Sequence, residues 1–445
     1  MTDTGKKNYI WIFIFAAFLA VYGCFLGDAS NAFSGLKEVL SNTALLITDY
    51  IYVAGPAPAF MNAALVTVST GLLMYWNGFE VDSAAYFMVG LMAGFAFFGK
   101  NIFNMWVIVL GTFIYSRLNK TPLKTHLLPS LMAAAIGPII NNIIFREGGS
   151  TPGRWALACA VGIGIGLLIP FVSDNVGKIL PNYTLYKTGF TLGIVALVVV
   201  SVLKSYGILF EPVSLWGAEY SFALSLMTIC LCAFFIIAGM ALGGKKDFGK
   251  LLKEPGTPPN DFVQTHGHGA VLINVGIVGL ISLVYILLIG GHVNGATLGG
   301  IFTVMGFGAK GKTPKNIIPI FIGVAIAGLT STWNLAGPGP QLAALFGTCL
   351  APMAGAYGVI PGIITGFFHA SIVMNAGAGY SGANLYNNGF SSGISVIALQ
   401  PIFARLCRER FYEDPDEKNM SEAEIIAEEE ERIAETIKES EEGPI

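Results

Sequence analysis

Leu185-Tyr186-Lys187-Thr188-Gly189-Phe190-Thr191-Leu192-Gly193-Ile194 returns later in the chain as Leu385-Tyr386-Asn387-Asn388-Gly389-Phe390-Ser391-Ser392-Gly393-Ile394. The same offset of 200 pairs Gly162 with Gly362, Gly166 with Gly366, Asn175 with Asn375 and Gly177 with Gly377. At an offset of 214, Pro138 meets Pro352. Towards the N-terminus the offset is 212. It pairs Asn62 with Asn274, Val81 with Val293, Gly94 with Gly306, Gly99-Lys100 with Gly311-Lys312, Asn104 with Asn316 and Gly111 with Gly323. Chance in an apolar, glycine-rich chain matches apolar letters, but it does not hold lysines and asparagines in register. Two homologous halves are expected, residues 1–210 and 211–410, followed by a tail at 411–445.

Composition says what solvent the halves occupy. Of 445 residues, 54% are hydrophobic and 12% charged, about half the charge of a soluble domain. That excludes a soluble enzyme and a nucleic-acid binder. The 55 glycines suit membrane helices that pack closely or break. The six cysteines have neither metal-ligand spacing nor a disulfide framework, so no cofactor and no metal site are expected.

A bilayer core of about 30 Å takes about 20 apolar residues, fewer where a broken helix is shielded by protein. Apolar runs occur near 9–27, 57–76, 83–98, 102–117, 127–144, 153–173, 188–209, 216–243, 268–290, 294–309, 316–332, 340–353, 355–375 and 389–406. The expected fold is all-α, a polytopic bundle of about 14 spans (12 to 14) in which some helices are short or broken. Segment 34–54 either lies at the interface or begins a broken helix. The basic loops at 117–126, 245–253 and 310–315, with Arg405, Arg408 and Arg410, are expected in the cytoplasm. Both termini then lie there too, in a multi-pass protein of a bacterial inner membrane. Equivalent elements recur after seven spans, an odd number, so the halves are expected to be inverted. Inverted repeats build many secondary transporters, with the solute site near the midplane.

Gly306-Phe307-Gly308-Ala309-Lys310-Gly311-Lys312-Thr313 fits the phosphate-loop pattern G-x-x-x-x-G-K-[ST]. The chemistry of that loop needs a preceding strand and a βαβ setting. Here an apolar span precedes it and Pro314 follows, so nucleotide hydrolysis is not expected. The match instead marks two helix breaks, Gly99-Lys100-Asn101 and Gly311-Lys312-Thr313. A helix N-terminus with an adjacent lysine attracts anions; the competing reading is two ordinary loop lysines that set topology.

Polar residues in apolar runs are functional candidates. Asn62, Asn274, Asn104, Asn316, Asn175 and Asn375 are suited either to a polar solute or to the backbone of broken helices. His369 stands where the first half has Ile169; it suits proton coupling, solute contact, or a buried neutral ring bonded to a neighbour. His266 and His268 lack a nearby carboxylate or cysteine in sequence and give only a weak metal signal. Residues 375–384 are too polar and glycine-rich for a lipid-facing helix and read as a loop or unwound segment.

From Phe262 through Arg408 there is no Asp or Glu. Cation pumps and acid-based proton relays use intramembrane carboxylates, so a neutral or anionic solute is expected, with Na⁺ or H⁺ as a coupling ion still open. The tail carries 14 acids against 3 bases. Ser421-Glu422-Ala423-Glu424 begins like a capping box, so the tail reads as a short charged helix, solvated or docked on the basic loops.

The Gly-Lys-Asn and Gly-Lys-Thr-Pro breaks, with residues 384–393, resemble a family of uncharacterised bacterial polytopic membrane proteins catalogued as a domain of unknown function. That resemblance covers most of residues 10–408 and implies no activity. The seven-plus-seven plan also resembles the fold of nucleobase and anion exchangers, whose third and tenth spans are broken. Residues 83–98 and 294–309 would be those spans, although none of that fold's substrate-binding acids has a counterpart here. The expected function is secondary transport of a small anionic or neutral polar solute by alternating access. Lys100, Lys312, the paired asparagines and His369 would lie near the site, in a lipid bilayer and with a homo-oligomer as an option. A channel of the same symmetry is the alternative. A membrane-embedded enzyme is disfavoured, because the acid-free half offers no nucleophile, base and orienting acid together.

Overall fold

Glycine and proline cut the apolar chain into helices, which the computed structural model describes over residues 9–146 and 149–407. In chain order these are α1 (Ile10–Leu26), α2 (Leu36–Ser41), α3 (Tyr50–Ala54), α4 (Pro56–Trp76), α5 (Ser83–Phe95), α6 (Ile102–Leu118), α7 (Leu123–Ala133), α8 (Pro138–Phe145), α9 (Pro152–Ile179) and α10 (Lys187–Ser205). They continue as α11 (Ser221–Ala241), α12 (Lys245–Leu251), α13 (Phe262–Leu288), α14 (Gly295–Phe307), α15 (Pro314–Thr330), α16 (Pro338–Gly347), α17 (Ala351–Tyr357), α18 (Val359–Ala376) and α19 (Asn387–Leu406). No strand occurs among the described residues, only a bridge between Thr48 and Leu215. The phosphate-loop match is therefore the end of α14 and its turn into α15. The acidic tail lies outside the described residues, as do Lys6, Lys7, Arg408 and Arg410.

Among the described residues seven helices are long and apolar enough to cross a membrane: α4, α9, α10, α11, α13, α18 with its following turn, and α19. The α7–α8 pair, bent by 41°, makes an eighth if counted as one span. The protein is thus a multi-pass helical membrane protein. Five further apolar helices, α1, α5, α6, α14 and α15, have 13 to 17 residues, and the expected run at 340–353 is split between α16 and α17. Hydropathy averages across such breaks, which is why fourteen apolar runs correspond to fewer full-length helices. Apolar side chains on α9 and α11, among them Leu168, Phe171, Phe222 and Phe234, are exposed, as suits helices that face lipid.

Segment 34–54 begins a broken helix. It forms α2 and α3, and α3 runs into α4 through Gly55, whose φ of +87° interrupts the helix. Gly267 makes a similar break inside α13 at φ +77°.

The short helices α5 and α14 lie at the centre. Every residue of α14 is buried. They run antiparallel with their backbones in contact: a Cβ on Gly94 would come within 2.5 Å of Gly299 O, one on Gly299 within 2.5 Å of Gly94 O, and Gly306 abuts the backbone of Tyr86 and Phe87. At 1.5 Å per residue each is about 20 Å long, shorter than the bilayer core of about 30 Å. Nearby, α10 and α19 meet at Gly189 and Gly389, beside the stacked rings of Phe190 and Phe390, 5.6 Å apart.

Candidate functional site

Four residues beyond each short central helix stands a glycine at positive φ, Gly99 at +103° and Gly311 at +123°. The chain turns there into α6 or α15, and a lysine follows the glycine. The turn exposes backbone carbonyls inside an apolar interior, where each needs a partner. Asn62 Nδ2 donates to Ala96 O (2.7 Å) and Lys100 O (2.9 Å). Asn274 Nδ2 donates to Gly308 O (2.7 Å) and Lys312 O (2.8 Å). Asn104 and Asn316 cap the next helices: Nδ2 donates to Gly99 O and Gly311 O, while Oδ1 accepts from Asn101 N and Thr313 N. These four asparagines are buried, and their hydrogen bonds hold the backbone of the breaks.

The lysine side chains thereby point inward, and both are fully buried. Lys100 Nζ donates to Tyr386 OH (2.7 Å), Met92 Sδ (3.1 Å) and Leu131 O (3.4 Å). Lys312 Nζ donates to Tyr186 OH (2.8 Å). Each ammonium also lies over aromatic faces: Lys100 is 4.7 Å from the Tyr386 ring centroid and Lys312 is 4.8 Å from that of Tyr186. The pairing crosses the chain, each lysine meeting a tyrosine from the other half. Neither lysine has an ion-pair partner among the described residues.

Between the pairs lies a cavity of about 10 Å³, enough for one water-sized particle. Tyr186, Tyr386 and Asn388 line it together with apolar groups such as Phe95, Phe346 and Met132. His369 is fully buried behind it, with Nε2 3.0 Å from Asn388 Oδ1 and no partner at Nδ1.

Asn175 and Asn375 do not join this group. Both are exposed and donate to carbonyls of their own helices, Phe171 O and Ser371 O. His266 corrects the sequence reading, because the fold sets Glu254 Oε1 2.9 Å from its Nε2. His268 Nδ1 lies 3.0 Å from Tyr86 OH, and no group of three metal-binding side chains occurs among the described residues. Residues 377–380 form a 3-10 turn that ends at Ser381 in the left-handed region, and Tyr380 OH donates to Asn387 Oδ1.

Sequence reasoning missed two aspartates. Asp49 is fully buried; its Oδ1 accepts from Ile51 N (2.9 Å) and Gly295 N (3.2 Å), and Oδ2 from Gly217 N (3.2 Å). Gly295 opens α14, so this carboxylate sits at that helix's positive end. Asp261 Oδ1 accepts from Gln264 N (3.0 Å) and from Ser83 Oγ (2.7 Å), and Ser83 opens α5. Their shared spacing of 212 from Asp49 to Asp261, and from Ser83 to Gly295, was the available signal.

The profile of the family described as "Protein of unknown function (DUF1576)" matches the chain twice, at residues 28–205 and 243–405. The chain belongs to this family. One match falls in each half and both breaks lie within the matched segments. No curated protein and no solved structure matches the chain detectably.

Proposed function

We propose that this DUF1576 protein is a secondary transporter of a small anionic or neutral polar solute, working by alternating access between two inverted halves, with both termini in the cytoplasm. The observation that carries the reading is the crossed pair Lys100–Tyr386 and Lys312–Tyr186 around a central cavity. A buried ammonium is costly without a compensating charge; with no carboxylate bonded to either lysine among the described residues, an anion between the pairs supplies one. Antiparallel packing of α5 on α14, and the recurrence of the asparagine bonds in both breaks, support inverted repeats. In such folds the solute binds at the repeat interface near the midplane, where discontinuous helices meet. The asparagines build the breaks, the lysines supply charge and the tyrosine hydroxyls face the solute.

The test is uptake of radiolabelled formate and chloride into liposomes containing the purified full-length protein. Lys100→Met with Lys312→Met is expected to abolish uptake while the protein stays folded. Uptake by the double variant at the wild-type rate would overturn the role of the lysines. Flux far above transporter turnover would mark a channel.

A further inference from the structure

The anion-versus-neutral choice in the proposed function turns on which hydrogen-bonding groups the cavity presents, and His369 decides that. Asn388 Oδ1 is an acceptor only, and with that oxygen 3.0 Å from His369 Nε2 the bond forms in the tautomer that carries its proton on Nε2. The amide oxygen is thereby engaged at the buried ring, and what Asn388 has left for the cavity is its NH₂ group. The tyrosines are constrained likewise. An ammonium can only donate, so Tyr186 OH and Tyr386 OH accept from Lys312 and Lys100, and each phenolic proton stays available to donate. The three polar side chains on the cavity wall can therefore each offer a proton to a ligand, and the rest of the wall is apolar.

We infer that His369 is a positioning residue that makes the central cavity rich in donors, so that it selects small anions without N–H or O–H groups over neutral amides of the same size. This rests on the proposed function and narrows its solute to the anionic class. The device is confined to the second half: at the offset of 200, Ile169 and Thr188 stand in the first half where His369 and Asn388 stand in the second. The cavity thus has one extra donor on one side, which suits an anion with more than one acceptor atom.

Formate and formamide make the discriminating probe pair, since they match in size, each larger than the one-water space between the pairs so that both need the same opening of the cavity, and differ in whether they carry N–H groups. Equilibrium binding to full-length protein in detergent is measured for both, with chloride as a simple anion. The wild type is expected to bind formate and chloride and to discriminate against formamide by more than about tenfold, because an unpaired buried donor is costly. His369→Ile, which installs the residue of the first half, is expected to weaken formate about tenfold or more and to bring the formate and formamide affinities together. His369→Gln, whose side-chain NH₂ can replace the ring donor, is expected to restore the preference. Asn388→Thr serves as a second variant and is expected to weaken formate more than chloride; an equal loss of both counts against the inference.

If His369→Ile folds yet keeps the wild-type preference, the inference falls and the anion reading stands. If the wild type binds neither formate nor chloride, the anion reading falls and takes the inference with it.

Discussion

The breaks at Gly99 and Gly311 use one scaffold but finish differently. In the first, Asn62 Oδ1 accepts from Ile102 N at 3.3 Å, and the Lys100 ammonium has three hydrogen-bond partners. In the second, Pro314 stands where Ile102 stands, and proline has no N–H. Asn274 Oδ1 is consequently buried without a partner, and the hydrogen bond described for Lys312 Nζ is the one to Tyr186. In the first break Asn62 is engaged at both ends of its amide, and the buried atom left over is Asn101 Nδ2. The second keeps unspent hydrogen-bonding capacity in the half that also holds His369 and Asn388.

That contrast can be broken most sharply at the asparagines. Asn62→Leu strips partners from Ala96 O, Lys100 O and Ile102 N, each costing about 1–3 kcal/mol when buried, so a loss of about 5 kcal/mol is expected. Asn274→Leu strips two carbonyls and removes an oxygen already orphaned, so about 3 kcal/mol is expected on the same scale. Chemical unfolding in detergent measures both, and equal losses would refute the contrast.

A smaller difference is expected at the tyrosines. Tyr186→Phe removes the hydrogen bond described for Lys312, at about 2 kcal/mol for a charged donor, whereas Tyr386→Phe leaves Lys100 two other partners and should cost about 1 kcal/mol. Thermal unfolding of the two single variants side by side gives the order, and the reverse order would show that the lysine environments have been misjudged. The smallest effect belongs to Pro314→Ile. It gives Asn274 Oδ1 a donor and loses the stiffness of proline, two terms of about 1 kcal/mol or less that oppose each other. Its value lies in combination: in that background Asn274→Leu should cost as much as Asn62→Leu, and a double-mutant cycle with no coupling would remove Pro314 as the cause.

Much of this was legible because asparagine in an apolar run must find partners. The pairs 62/274 and 104/316 mark the two breaks, where their hydrogen bonds go to broken backbone. Tyr186 and Tyr386 sat in the repeated motif, but their partners lie in the opposite half, and no local spacing reveals a contact across 286 residues. Asp49 reads in sequence as an ordinary cap; its burial depends on N–H groups of Gly217 and Gly295, which only tertiary structure delivers. Asn388 stands where the first half has Thr188, and only the fold brings its amide to 3.0 Å from His369. The number of full-length spans was obscured because hydropathy does not register a positive φ at Gly99, Gly267 or Gly311.

Bonds that close each break arise within one half, whereas those that hold the charged tips reach across: Lys100 to Tyr386, Lys312 to Tyr186, Asp49 to Gly295, Ser83 to Asp261. A ribosome delivers the first half long before its partners exist. The nascent first half therefore waits in the bilayer with a lysine and a helix start still unmatched, and synthesis of the second half completes both. Cut in the loop between α10 and α11, the gene would yield two products that mature only in each other's company.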